Sequence, residues 1–212
     1  MKTTTERVLK GELKMPQELG LVSLYRGEQF SILHPESSEF DIMDIAHSLS
    51  HICRFNGHSK FFYSVAQHSL AVKEMIRLDG YGVMMQLYGL THDVSEFVCA
   101  DLQSTIKSCL SGYREIEDSI ENAFYKAYGI LPPADEERAI VKEYDNMALF
   151  VESKNLMNGF NRMRNVKDYG VLNYPIMEEG MNDVREKFFW SFYKLLWEMQ
   201  KMLNEIELAE CV

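Results

Sequence analysis

What the sequence lacks narrows it first. No apolar run approaches the roughly 20 residues that a membrane-spanning helix needs. Residues 1–14 are polar and charged, so neither an anchor nor a secretory leader is expected. The four cysteines, Cys53, Cys99, Cys109 and Cys211, make no Cys-x-x-Cys pair and no zinc-finger spacing. Scattered single thiols read as core or surface side chains of a reduced, cytoplasmic protein. Positive charge is in the minority, 22 Lys and Arg against 32 Asp and Glu, for a net charge of −10. That disfavours a grip on a nucleic-acid polymer, which needs a basic face. It leaves room for a small phosphate held by a metal and one or two local cations. Repeats and low-complexity tracts are also missing.

What remains is ordinary globular material. With 212 residues, 46% of them apolar and 25% charged, the chain suits one domain with a sizeable core. Residues 21–34 partly alternate around Gly27 and fit a small N-terminal hairpin. From Asp41 the period becomes helical: Ile42, Ile45, Ala46, Leu49 and Ile52 recur on one face, with Asp41 as N-cap. That helix is expected to end at Asn56-Gly57. Further helices are expected over about 63–79, 83–97, 113–128 and 134–158, the last two separated by Gly129 and Pro132-Pro133. Residues 159–180 read as loop. A final helix, about 181–207, is thick with aromatics (Phe188, Phe189, Trp190, Phe192, Tyr193, Trp197), for the core or for another subunit. The fold class expected is all-α.

Three places carry unusual chemistry. His92-Asp93 interrupts an apolar helical pattern, and Glu96 follows on the same face; one imidazole and two carboxylates within one turn are ready for a metal, although His-Asp alone is a weak signal. Asp145 has Val141, Ala148 and Leu149 as helical neighbours. A carboxylate so close to an apolar face needs a cation, a hydrogen-bond network or a metal, or else reaches back to water. His68, early in the second helix, would on its own be a hydrogen-bonded core histidine. His47 and His51, four apart beside Asp44, have the spacing of a metal clasp, but a polar face opposite Ile42, Ile45 and Leu49 explains them better. His34 has no evident role.

Taken in order, His68, His92-Asp93 and Asp145 reproduce the His…His-Asp…Asp signature of the HD-domain metallophosphohydrolases. The flanks resemble one branch of that family more closely: Phe40 through His58, Tyr63-Ser-Val-Ala-Gln-His-Ser, Thr91-His-Asp-Val-Ser-Glu, Ala100-Asp-Leu and Lys107. That branch occurs in phages, prophages and bacteria and is similar to the bacterial HD-domain 5′-deoxynucleotidases and the phage dATP triphosphohydrolases. The resemblance covers about residues 22–158 of a single 1–212 domain and leaves a C-terminal helical extension, about 180–208, without a motif. It implies an HD-type helical bundle in a bacterial or phage-infected cytoplasm. His68, His92, Asp93 and Asp145 would bind one divalent ion, Co²⁺, Mn²⁺, Zn²⁺ or Fe²⁺, with Mg²⁺ also accommodated. Glu96 and Asp101 would be the catalytic acid–base pair. Arg54 and Lys107 would hold phosphate, Phe55 would stack on the base, and His58 would order a loop or touch the substrate.

The implied reaction is hydrolysis of a phosphate ester or anhydride in a small (deoxy)nucleotide, a monophosphate or a triphosphate. A triphosphate needs further cations, for which Arg114, Lys126, Arg138 and Lys142 are candidates. Two departures bear on base and sugar preference. The Asp-Leu-Pro-x-Pro stretch common in related nucleotidases is Asp101-Leu-Gln-Ser-Thr here, and the tryptophan often found after the arginine is Phe55. The implied partners are a small nucleotide and further copies of the chain, as a dimer or larger homo-oligomer, with no nucleic-acid polymer and no membrane. The rival reading is an HD scaffold that binds a nucleotide or a protein without turnover.

Overall fold

The structure, a computed structural model, describes residues 20–159 and 174–210. It is mostly helical, with one two-stranded sheet among the described residues. Strands β1 (Leu21–Ser23) and β2 (Gln29–Ser31) pair antiparallel, Val22 opposite Phe30. Gly27 turns the hairpin with φ 99°, a conformation that only glycine adopts freely. Phe30 is fully buried and meets Phe40 and Phe97 edge-on, ring centroids 5.1 and 5.0 Å away. That contact seats the hairpin on the helices.

Helix α1 (Ile42–His51) starts at Asp41, whose side chain accepts from Met43 N. It stops at His51, short of the expected Asn56-Gly57. Ile52 turns extended so that its carbonyl accepts from Val65 N, and Arg54 N donates to Tyr63 O. This pairing of two segments of the chain, with Cys53 opposite Ser64, satisfies backbone groups that another helical turn would have used. A 3-10 turn follows at Arg54–Gly57, with Phe55 and Asn56 at positive φ.

Helix α2 (Val65–Leu78) opens with a capping box: Ser64 Oγ accepts from Gln67 N while Gln67 Oε1 accepts from Ser64 N. Helix α3 (Val83–Thr91) is shorter than its periodicity suggests. It ends at Thr91, and His92 to Ser95 run in turns before the single turn of α4 (Glu96–Cys99). His92 and Asp93 therefore lie just past a helix end rather than inside a helix. Side chains help to close that end. Thr91 Oγ1 donates to Leu87 O, and His92 Nδ1 donates to Gly89 O, so terminal carbonyls are satisfied without a further turn. Short α5 (Ser104–Lys107) leads to α6 (Tyr113–Ala127) and α7 (Asp135–Leu156).

Of the loop expected over 159–180, residues 160–173 lie outside the described residues and 174–180 form no regular element. Helix α8 (Met181–Glu210) closes the chain and packs on α1, α2 and α3. Val184, Phe188, Phe192, Leu195 and Met199 face the core, a helical stripe of three- and four-residue steps. The aromatics of α8 divide: Phe188 and Phe192 are buried, whereas Trp190, Tyr193 and Trp197 are exposed. Helices α2 and α3 touch closely at Gly89, where a Cβ would sit 2.5 Å from Ile76 Cδ1 and 3.4 Å from Lys73 Cα. Helix α7 lies against both. Among the described residues no helix is long and apolar enough to cross a membrane.

Candidate metal centre

The meeting of α2, the turn after α3, and α7 brings distant side chains together. His68, on α2, is fully buried. Its Nδ1 lies 2.7 Å from Glu152 Oε1 on α7. His92 Nδ1 lies 2.9 Å from Gly89 O. A carbonyl only accepts, so His92 carries its proton on Nδ1; the carboxylate of Glu152 demands the same of His68. The two Nε2 atoms then face each other across 3.2 Å.

Carboxylate oxygens close the same space. Asp145 Oδ1 is 3.1 Å from His68 Nε2 and 4.0 Å from His92 Nε2. Asp93 Oδ2 is 3.2 Å from His92 Nε2 and 3.6 Å from His68 Nε2. His68, His92 and Asp145 form a group that could hold a metal ion, their donor atoms all within 4.8 Å of one another. Donors sharing one ion at bond lengths of about 2.0–2.2 Å stand roughly 3–3.6 Å apart in octahedral or tetrahedral geometry, close to the spacing observed. Each imidazole also has its other nitrogen committed to an acceptor, the arrangement that orients metal-bound histidines.

The electrostatics show how strongly this space calls for positive charge. Burial works against an imidazolium at His68, as does Arg54, yet Glu152 and Asp145 prevail and lift its pKa to about 10. Burial pushes the Asp145 carboxyl up, but His68, His92 and Lys142 together hold it well below the usual range. Lys142 Nζ donates to Asp145 Oδ2 at 2.5 Å. Asp93 is likewise held low, burial being outweighed by His92 and His68.

Glu152 was not legible as a site residue. It is fully buried and bridges the centre to Arg54, Oε2 accepting from Arg54 Nε at 3.2 Å. Its signal was a carboxylate at the end of the apolar run Ala148–Val151, seven residues beyond Asp145 and so on nearly the same helical face. Arg54 is buried, with NH1 3.8 Å from Asp93 Oδ2 and the guanidinium over the Phe55 ring at 5.6 Å.

The acidic pair lies alongside. Glu96 is buried; Oε1 accepts from Lys107 Nζ at 3.1 Å, and Oε2 has no hydrogen-bond partner. Burial, then Asp93 and Asp101, push its pKa up to about 9. Burial also raises Asp101, with Arg54 opposing. Asp101 follows Ala100, whose φ 64°, ψ 160° belongs to a region that is almost exclusively glycine's. Lys107 is already engaged: besides Glu96 it donates to Glu117 Oε1 at 2.7 Å. His58 is exposed, its backbone N–H donating to Phe55 O, and among the described residues no contact ties its ring to the cluster. His47 is half-buried and His51 exposed, in keeping with a polar face. Tyr25 stacks on His47 at 3.6 Å, His47 on His51 at 4.1 Å, and buried Asp44 accepts from Arg26 N.

A cavity of about 220 Å³ opens beside the cluster, lined by His92, Asp93 and Asp145 together with Tyr88, Arg138 and Lys142. Larger hollows of about 680 and 790 Å³ lie against α8 and carry none of these donors. Chemistry, not size, marks the smaller one.

No protein-family model matches the sequence. Two relatives do. The uncharacterized protein YfdR of Escherichia coli is 32% identical over 138 residues, 65% of this chain and 73% of that protein. The chain belongs to the same family as YfdR. A second uncharacterized protein of this family, from Rhodobacter capsulatus, is 31% identical over 162 residues, 73% of this chain and 81% of its own length.

Proposed function

We propose that this protein is a divalent-metal-dependent phosphohydrolase of the HD-domain type, acting on the phosphate ester or anhydride of a small (deoxy)nucleotide. One observation carries the reading. Two imidazole nitrogens from separate elements and the Asp145 carboxylate converge, each imidazole oriented by a partner on its far side. Such a set, with Asp93 beside it, suits Mn²⁺, Co²⁺, Zn²⁺ or Fe²⁺ better than Ca²⁺. The ordered resemblance of His68, His92-Asp93 and Asp145 to the HD signature supports the same conclusion.

When bound, the cation supplies Lewis acidity at a phosphate oxygen and offsets charge that builds in the transition state. The rest falls to the chain. Glu96 and Asp101 share the acid–base work, one orienting or deprotonating the attacking water and the other protonating the leaving oxygen. Glu152 holds the His68 tautomer and anchors Arg54. Arg54 presents its guanidinium near Asp93, where two parallel donors match a phosphate. Arg138, paired with Glu121, and Lys142, paired with Asp145, line the cavity and would supply cations for a longer phosphate chain.

A scaffold without turnover is the second reading. It draws on Lys107, the expected phosphate ligand, being clamped between Glu96 and Glu117. The deciding experiment measures metal content and then assays chelator-treated and Mn²⁺- or Co²⁺-reloaded protein against dNMPs and dNTPs, scoring phosphate and triphosphate release. Turnover restored by metal is expected. A fully loaded protein that hydrolyses none of them would hand the site to the scaffold reading.

A further inference from the structure

The chain has two tryptophans, and both stand in solvent on α8. Trp190 is 66% exposed and Trp197 62%, with Tyr193 between them at 42%. At 100° per residue the three lie on one stripe, opposite the side on which Phe188 and Phe192 enter the core. The stripe is braced: the Phe189 ring meets Trp190 and Tyr193 edge-on at 5.1 and 4.8 Å, and Lys201 Nζ lies 5.9 Å from the centre of the Trp197 ring. Isolated exposed apolar residues need no explanation, but a continuous, rigid aromatic stripe marks a contact surface.

The charges along the stripe say what covers it. Toward its N-terminal end stands Glu186 and toward its C-terminal end Lys201, both well exposed, with Lys194 near the middle. Laid antiparallel on a second copy about a two-fold axis between residues 193 and 194, the stripe matches itself. Glu186 faces Lys201 of the other copy, Trp190 faces Trp197, and Tyr193 faces Lys194. A closed two-fold contact requires such self-complementarity of a single patch. In a parallel pairing Glu186 would meet Glu186 and Lys201 would meet Lys201.

We infer that the exposed stripe of α8 is a homodimer interface, formed by antiparallel pairing of this helix with its copy. The stripe from Glu186 to Lys201 is about 22 Å long at 1.5 Å per residue, and two crossing helices hold both charged ends in reach only at a shallow angle of about 20°. Full burial of an aromatic side chain covers about 150–250 Å², and Trp190, Tyr193 and Trp197 are already a third to more than half covered by their own chain, so the contact falls short of the standard interface range, which begins at about 1,200 Å² in total. The dimer is therefore concentration-dependent. Aromatic stacking supplies most of its strength and the end charges fix its register.

Sedimentation of the full chain over a micromolar concentration series tests this, with the fluorescence of the two tryptophans as a second readout. Dimerisation with a blue shift on concentration is expected. Trp190→Ala with Trp197→Ala should abolish the dimer and leave the melting temperature of dilute, monomeric protein unchanged, since both rings lie outside the core. Glu186→Lys and Lys201→Glu should each weaken it about tenfold or more, and the charge-swapped double variant should recover to within a few-fold of wild type. A chain that stays monomeric at the highest concentration overturns the proposal, as does a dimer indifferent to both tryptophans. Single-charge losses that the swap does not rescue refute the antiparallel register. A monomer whose tryptophans shift blue on anionic lipid vesicles assigns the stripe to a membrane surface instead, and equally overturns it.

Discussion

Oε1 of Glu152 lies 2.7 Å from Nδ1 of His68, and neither side chain touches solvent. The other oxygen of the same carboxylate accepts from Arg54 at 3.2 Å. One buried carboxylate thus sets the tautomer of the His68 imidazole and neutralises the nearest guanidinium. Glu152→Gln, which keeps the shape but not the charge, is expected to weaken metal binding about 10–100-fold. Glu152→Ala also strands the Arg54 charge and should cost about 3–5 kcal/mol of stability. Metal titration and denaturant unfolding report the two effects separately; wild-type metal affinity in Glu152→Gln would remove Glu152 from the site.

Asp145 and Glu96 should separate binding from turnover. Asp145→Ala, or Asp93→Ala, removes a charged donor and should leave protein that emerges metal-free from gel filtration. Glu96→Gln should retain the metal and lose about 100-fold or more in turnover, the scale of one acid–base group. Elemental analysis beside a phosphate-release assay checks both. Loss of metal from Glu96→Gln would place Glu96 among the donors.

The contact at Gly89 is a test of packing. Gly89→Ala puts a methyl group 2.5 Å from the buried Ile76 Cδ1; crowding of this kind costs about 1–3 kcal/mol. Ile76→Val removes that atom, so the double variant should lose less stability than the two single changes added together. Because His92 hydrogen-bonds to the Gly89 carbonyl, the same substitution should also lower metal affinity, and Ile76→Val should recover part of it.

Cys99 and Cys109 should differ in thiol chemistry. Burial, with Glu117 adding, pushes the Cys99 thiol up to about 11, whereas Cys109 is exposed. At pH 8 only about one Cys99 in a thousand is thiolate, and that fraction grows about tenfold per pH unit up to its pKa. Iodoacetamide followed by peptide mass spectrometry should label Cys109 first and Cys99 only as the pH climbs toward 11. Early labelling of Cys99 at pH 8 would mean that its surroundings open.

Local signals account for much of the fold. Alternation around Gly27 marked the hairpin, while Gly129 and Pro132-Pro133 marked the boundary between α6 and α7. The misses came from side chains competing with backbone. The break after Thr91 depends on Thr91 and His92 taking up carbonyls of the preceding turn, and the early end of α1 on Ile52 pairing with Val65. Periodicity carries neither event. The site was legible where odd residues interrupt apolar patterns, at His68, His92-Asp93 and Asp145, which the structure brings within about 4 Å of their neighbours. It was illegible where the decisive partner is remote: Glu152 beneath His68, Glu117 on Lys107, Tyr25 over His47.

The segment between Cys53 and Ser64 carries Arg54 and Phe55, and it is fastened along its length. Arg54 N bonds to Tyr63 O and Val65 N to Ile52 O; Lys60 reaches the end of α7 twice, through its N–H to Leu156 O and its Nζ to Asn155 O. A strip sewn down at both hems is expected to move less than a free loop, so Arg54 and Phe55 are held in place beside the candidate centre. The cavity framed by Tyr88, Arg138 and Lys142 opens beside the candidate metal group, and on the proposed function a bulky substitution there should act as a cork.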